Sequence, residues 1–145
     1  IKWKYGIIIW CFFCFFCQFY YNIKTKKSYD RYDMLFKQKK YPQAQQWLKE
    51  EFEKTPNDLG LYKRQCELHI VLKRYEEAAQ TLSDGLARAE DADGELASYF
   101  RLSDIYRNHL NDTGKARRVL KTMLKNSDDP RTRQRIQNRL NKLSH

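Results

Sequence analysis

Cys11, Cys14 and Cys17 are the residues whose type and spacing come nearest to a known chemistry. A Cys-x-x-Cys-x-x-Cys run is a pattern in which thiolates hold an iron–sulfur cluster. Its surroundings here argue against that use. No fourth ligand follows, no Gly or Pro shapes a loop between the cysteines, and the run lies inside 18 uncharged residues from Gly6 to Ile23. On a helix, the three side chains progress along one side as smallish packing residues of an apolar span, with palmitoylation the other use open to them. Cys66 falls in a separate, amphipathic segment, so no disulfide framework is legible.

The remaining reactive residues are sparse. His69 sits in an apolar-rich helical segment as a structural histidine, His109 lies near a helix end and His145 at the last position. The acidic pairs Glu50-Glu51, Glu76-Glu77 and Asp128-Asp129 are sequence neighbours, which point in different directions on a helix. There is no Gly-rich phosphate loop and no His-Glu-x-x-His. Without a nucleophile, a base and a group to orient it, catalysis has no basis. The sequence therefore reads as a non-enzyme with no catalytic residues, no metal site and no cofactor.

Charge is the stronger signal. The 145 residues carry a net +10, placed unevenly: residues 1–40 hold nine Lys/Arg against two Asp, and residues 131–145 hold five against none. Residues 41–130 hold 14 against 16. Basic flanks around a near-neutral middle suit contact with an anionic surface, or are simply solvated. Within the C-terminal flank, Arg131, Arg135 and Arg139 recur at i, i+4 on one helix face. That stripe is either the outer face of a cap or a contact for acidic protein, lipid or RNA.

The elements that position these residues are helical. Gly6 to Ile23 would span about 27 Å as a helix, close to the hydrocarbon thickness of a thin bilayer. Trp3 and Trp10 lie towards one end and Tyr20 and Tyr21 at the other, where amphipathic rings favour the interface. No small-x-small cleavage site follows. The expectation is a single-pass transmembrane anchor over residues 1–23, then a basic juxtamembrane segment over 24–40 that runs into the first repeat helix. Lys24, Lys26, Lys27 and Arg31 after the span place the rest on the cytoplasmic (or matrix) side. The first residue is Ile rather than Met, so chain upstream of it is allowed for.

Behind this stretch the chain repeats itself. Lys37-Gln-Lys-Lys-Tyr41-Pro42-Gln-Ala44 is echoed by Leu72-Lys-Arg-Tyr75-Glu-Glu-Ala78, with both Tyr41/Tyr75 and Ala44/Ala78 separated by 34 residues. A period of that length marks stacked helical hairpins. Pro42 fits a first helical turn. Ala44, Leu48 and Phe52, with Trp47 beside them, make an apolar face, and Leu61, Tyr62, Cys66, Leu68, Ile70 and Leu72 make a second, broader one. Ala78, Leu82 and Leu86 form an i+4 stripe, as do Val119, Leu120, Met123 and Leu124 in a later segment. Asp129-Pro130 is a helix start, an N-cap before Pro at the first position. The helix it opens, over 130–145, presents Ile136, Leu140 and Leu143 as the terminal cap such an array needs.

Residues 25–129 resemble tetratricopeptide repeats, in units of roughly 25–58, 59–92 and 96–129. Tyr41, Ala44 and Pro56-Asn57 match the turn aromatic, helix-B alanine and closing proline of the first unit. Cys66, Tyr75 and Ala78 match the second, where Glu90 replaces the closing Pro, and Leu102-Ser103-x-x-Tyr106 with Ala116 matches the third. The departures are Tyr32 at a position where the family has a small residue, the spacer Asp91 to Gly94, and a third turn, Asn111-Asp-Thr-Gly114, longer by one residue. The resemblance implies an all-α fold: a transmembrane helix, an α-solenoid of about three hairpins and a capping helix. It further implies a groove lined by the first helix of each unit, taking a protein or peptide partner. Carried over position by position, that groove presents Tyr29, Asp33 and Phe36, then Lys63, Glu67 and Ile70, then Phe100, Asp104 and Arg107. The functional expectation is a membrane-anchored adaptor or scaffold, or an accessory or assembly subunit of a membrane complex. The alternative is a helical-repeat protein that associates with RNA or anionic lipid through its basic flanks.

Overall fold

The computed structural model describes residues 29–89 and 95–143. The apolar stretch 6–23, Cys11, Cys14 and Cys17, and the spacer Asp91 to Gly94 lie outside them. Every regular element described is a helix: α1 (residues 29–37), α2 (Tyr41–Lys54), α3 (Leu59–Val71), α4 (Tyr75–Arg88), α5 (Leu96–Asn108), α6 (Thr113–Asn126) and α7 (Pro130–Lys142). The chain forms two compact units, one up to Trp47 and the other from Leu48.

In the first unit, Tyr32 is 1% exposed. Its ring stacks on Phe36 at 5.7 Å and meets Trp47 at 5.9 Å, and Phe36 meets Tyr41 edge-on at 5.7 Å. The position where the repeat family has a small residue is thus filled by an aromatic that its neighbours are shaped to accept. Offset and edge-on pairs of this kind are the favoured ring arrangements.

In the second unit each helix packs on the next, α3 on α4, α4 on α5, α5 on α6 and α6 on α7. This is the nearest-neighbour stacking of an α-solenoid. One core gathers Cys66, Ala78, Ala79, Leu82, Leu86, Leu102 and Ile105, and another gathers Leu96, Ala116, Leu120, Met123, Ile136, Leu140 and Leu143. The stripes at Ala78, Leu82 and Leu86 and at Ile136, Leu140 and Leu143 are buried as their spacing requires. Ser103 is 1% exposed and its hydroxyl donates to the Ala116 carbonyl, tying α5 to α6. Tyr75, the turn aromatic of the second hairpin, stacks on His109 at 4.2 Å.

The turns within hairpins share one device. Lys39, Lys73 and Asn111 all have positive φ, at 58°, 60° and 53°. Lys40 N–H donates to the Leu35 carbonyl and Arg74 N–H to that of His69, five residues back in both cases. These are helix ends closed by one left-handed residue. In the third hairpin the bond reaches six residues back, from Asp112 N–H to the Tyr106 carbonyl, which takes up the extra residue.

The single-pass membrane localisation expected from the sequence is corrected here. No helix among the described residues is long and apolar enough to cross a membrane. From α2 onward the helices have 13 or 14 residues. That is about 20 Å, against roughly 30 Å of hydrocarbon, and the apolar faces of α3 to α7 are spent on the cores described above.

Candidate functional site

A pocket of about 250 Å³ opens between α3, α4 and α5, lined by Lys63, Cys66, Glu67, Leu82, Ala97, Ser98 and Arg101. Its floor is apolar and fixed: Cys66 and Leu82 are each 1% exposed. Its rim carries both signs of charge. Two successive turns of each helix supply it, because Lys63, Cys66 and Glu67 on α3, and Ala97, Ser98 and Arg101 on α5, are each spaced i, i+3 or i, i+4.

Lys63 is held by an ion pair with Glu95 at 2.6 Å. That contact, helped by the Ser98 hydroxyl, which donates to Glu95 Oε2 at 3.1 Å, lowers the Glu95 carboxyl below its ordinary pKa of 4.5 against its partial burial. Burial pushes the Cys66 thiol up to about 12, so at neutral pH it is a small apolar surface rather than a nucleophile. The pocket can therefore receive a side chain and orient polar groups around it.

A second cluster joins α5 to α7. Asp104 pairs with the Arg139 guanidinium, and the Phe100 ring lies beneath two guanidiniums, Arg139 at 4.9 Å and Arg135 at 5.9 Å. Cation–π contacts of this kind are favourable when the ring face is presented to the charge. Two groups of residues that the sequence separates, the third-unit groove positions and the basic cap, thus meet at one place. α7 is oriented for this by Arg133, whose Nη1 donates to the Leu124 carbonyl at 2.7 Å and the Ser127 carbonyl at 2.8 Å. Asp129 caps its start by accepting from Thr132 N–H at 2.8 Å.

The other expected groove residues are distributed as follows. Lys63 and Glu67 line the pocket. Ile70 is half-buried and packs against the core around Cys66 and Leu82. Arg107 and Arg131 are exposed. Tyr29, Asp33 and Phe36 belong to the first unit, where Phe36 is engaged in the Tyr32 aromatic cluster.

Solved structures resemble the chain, PcrH and a domain of STI-1 among them. PcrH, in complex with the chaperone binding region of PopD, has 16% sequence identity and a TM-score of 0.62, covering 83% of this chain and 91% of that one. The N-terminal domain of stress-induced protein-1 (STI-1) from C. elegans has 18% identity and a TM-score of 0.61, covering 79% of this chain and 89% of that one. The fold is tetratricopeptide-like. At these identities the likeness is one of fold alone. No protein-family model and no curated protein matches the chain.

Several residues of this tetratricopeptide-like unit escape a reading of the sequence. Gly85, on α4, lets α3 pack close: a Cβ there would sit 2.5 Å from Tyr62 Cβ. Ala97, Ser98 and Arg101 build half of the pocket, yet none belongs to the apolar stripes. Their i, i+4 spacing on α5 was the signal to follow, once α5 was placed beside α3.

Proposed function

We propose that the chain is a non-enzymatic protein-binding adaptor that holds a peptide segment of a partner at the α3–α5 pocket. The observation that carries this is the pocket itself. Its apolar floor of Cys66 and Leu82 suits an aliphatic side chain, and Lys63, Glu67 and Arg101 stand at the rim to hold the backbone and flanking polar groups. Small pockets with an apolar body and a few placed polar groups are the ordinary form of a binding site. PcrH, similar in fold, was solved holding a segment of another protein, which supports the same use here.

The pocket can be filled without disturbing the core. Ala97 is exposed at its mouth, so Ala97→Trp places a ring across the opening from a helical position that faces solvent. Panning a phage-displayed dodecapeptide library on the full chain is expected to enrich peptides sharing one aliphatic position. Titration with the enriched peptide should show at least tenfold weaker binding to the Ala97→Trp variant. Enrichment of nothing, or peptides that bind the variant equally well, would remove the pocket from consideration.

A further inference from the structure

The charge of this chain changes sign along its sequence. Residues 41–112 carry nine Lys/Arg against fourteen Asp/Glu, whereas residues 113–142, the α6–α7 hairpin, carry ten against two. One of those two acids, Asp129, is occupied as the N-cap of α7. From this polarity we propose a second binding surface: the exposed face of α6 and α7 binds the sugar–phosphate backbone of nucleic acid, independently of base sequence and separately from the α3–α5 pocket.

The side chains available for this are the exposed ones. Arg118, Lys121 and Lys125 recur at i, i+3 and i+7 on α6, and Arg131, Arg135 and Lys142 at i, i+4 and i+11 on α7, all of them exposed, Arg135 while also resting over the Phe100 ring. Each set makes one stripe, with cations about 4.5–10 Å apart along its helix axis. Arg117, Arg133 and Arg139 are already used inside the fold, on the Leu143 carbonyl, the α6 end and Asp104, and are not counted. Between the cations of α7 stand Asn138 and Asn141, whose Oδ1 atoms accept from Gln134 and Gln137 and whose Nδ2 groups are donors of the kind that meet phosphate and sugar oxygens.

Polarity separates nucleic acid from the other polyanions. A membrane-surface helix needs an apolar face to bury among the lipids, but the apolar face of α7, Ile136, Leu140 and Leu143, is already enclosed in the core. The large exposed apolar residues among those described, Met34 and Val71, lie elsewhere. An acidic protein partner would be expected to find an apolar or aromatic centre in its interface, and this face has none exposed. Protein–nucleic acid interfaces are more polar and much more positive than protein–protein ones, and that is the composition found.

The test is a binding titration of the full chain with fluorescein-labelled 20-nucleotide oligo(dT) and a 20-base-pair duplex, from 50 to 200 mM NaCl. Four or more phosphate contacts should give a slope of about −3 in log K against log salt with the single strand, and a steeper one with the duplex. The variant Lys121→Gln/Lys125→Gln/Arg131→Gln/Lys142→Gln should lose at least tenfold in affinity at 100 mM salt and most of that slope. A set with the same change of net charge elsewhere, Lys37→Gln/Lys49→Gln/Lys73→Gln/Arg88→Gln, should retain binding. Lys121→Arg/Lys125→Arg/Arg131→Lys/Lys142→Arg, which keeps the charge, should also retain it. Equal losses in the two Gln sets, no loss in the first, or tighter binding to phosphatidylserine vesicles or a 20-residue poly-glutamate than to either oligonucleotide would overturn the proposal.

Discussion

Two side-chain positions show how narrowly this fold is fitted. Gly85 is buried on α4 with Tyr62 Cβ and Cγ in the space a methyl would need, at 2.5 and 2.6 Å. Those atoms are the root of a side chain, so α3 itself would have to move. In an exposed helix Gly→Ala gains about 1 kcal/mol; here overpacking of about 1–3 kcal/mol outweighs it. Gly85→Ala should therefore lower the thermal midpoint, and an unchanged or raised midpoint would mean that α3 has room to shift. His69 carries a different constraint. Its Nδ1 is buried with no hydrogen-bond partner, and burial holds the ring below its ordinary pKa of 6.5, with Glu77 opposing that shift and Arg74 adding to it. The unfolded chain therefore binds the proton first. Stability should fall as pH drops through 6.5 towards the folded-state value, because protonation favours the unfolded form across that window. In His69→Gln, urea midpoints measured between pH 7.5 and 5 should decline less than in the parent; parallel declines would assign the pH dependence to other groups.

At the level of elements, the repeat was readable where the chemistry of a turn forces a pattern. Tyr41 and Tyr75 announce two hairpins because the residues before them do the same work: Lys39 and Lys73 take the left-handed conformation that ends a helix. That conformation costs a residue with a Cβ about 1 kcal/mol, which glycine avoids. Lys73→Gly should accordingly raise stability by up to about 1 kcal/mol, with part of the gain offset by the freer unfolded chain. A fall in the urea midpoint would show that the Lys73 side chain contributes more than its backbone strain costs. What the sequence concealed were contacts without a period. Asp104 and Arg139 stand 35 residues apart in different stripes, and nothing in their spacing marks them as partners. Tyr32 was visible as a departure from the repeat, but its cluster with Phe36 and Trp47 depends on ring positions in three dimensions. The pocket was half legible: Lys63 and Glu67 follow from repeat position, whereas its α5 side consists of Ala97, Ser98 and Arg101, which no hydrophobic stripe picks out.

At the scale of the molecule, the second unit is a row in which each helix is enclosed by the next, so α7 has a role its composition hides. It is the most polar of the helices by sequence, yet Ile136 is fully buried, and Leu140 and Leu143 are each 7% exposed, against Leu120 and Met123 of α6. In a row of this kind, stability is a sum of neighbouring interfaces and spreads along the chain only through contact. Ile136→Ala should cost about 2–5 kcal/mol, the usual range for emptying a buried aliphatic site, but the loss should not be shared equally. Native-state hydrogen exchange should accelerate most in α7 and α6, less in α5, and least in the α3–α4 hairpin, whose core is built from Cys66, Ala78, Ala79, Leu82 and Leu86. Graded loss would identify α7 as a cap whose removal leaves the α3–α4 hairpin, one wall of the pocket, standing. Uniform acceleration from α3 to α7 would instead show that the unit unfolds as one cooperative block, with the pocket and the basic face losing their structure together.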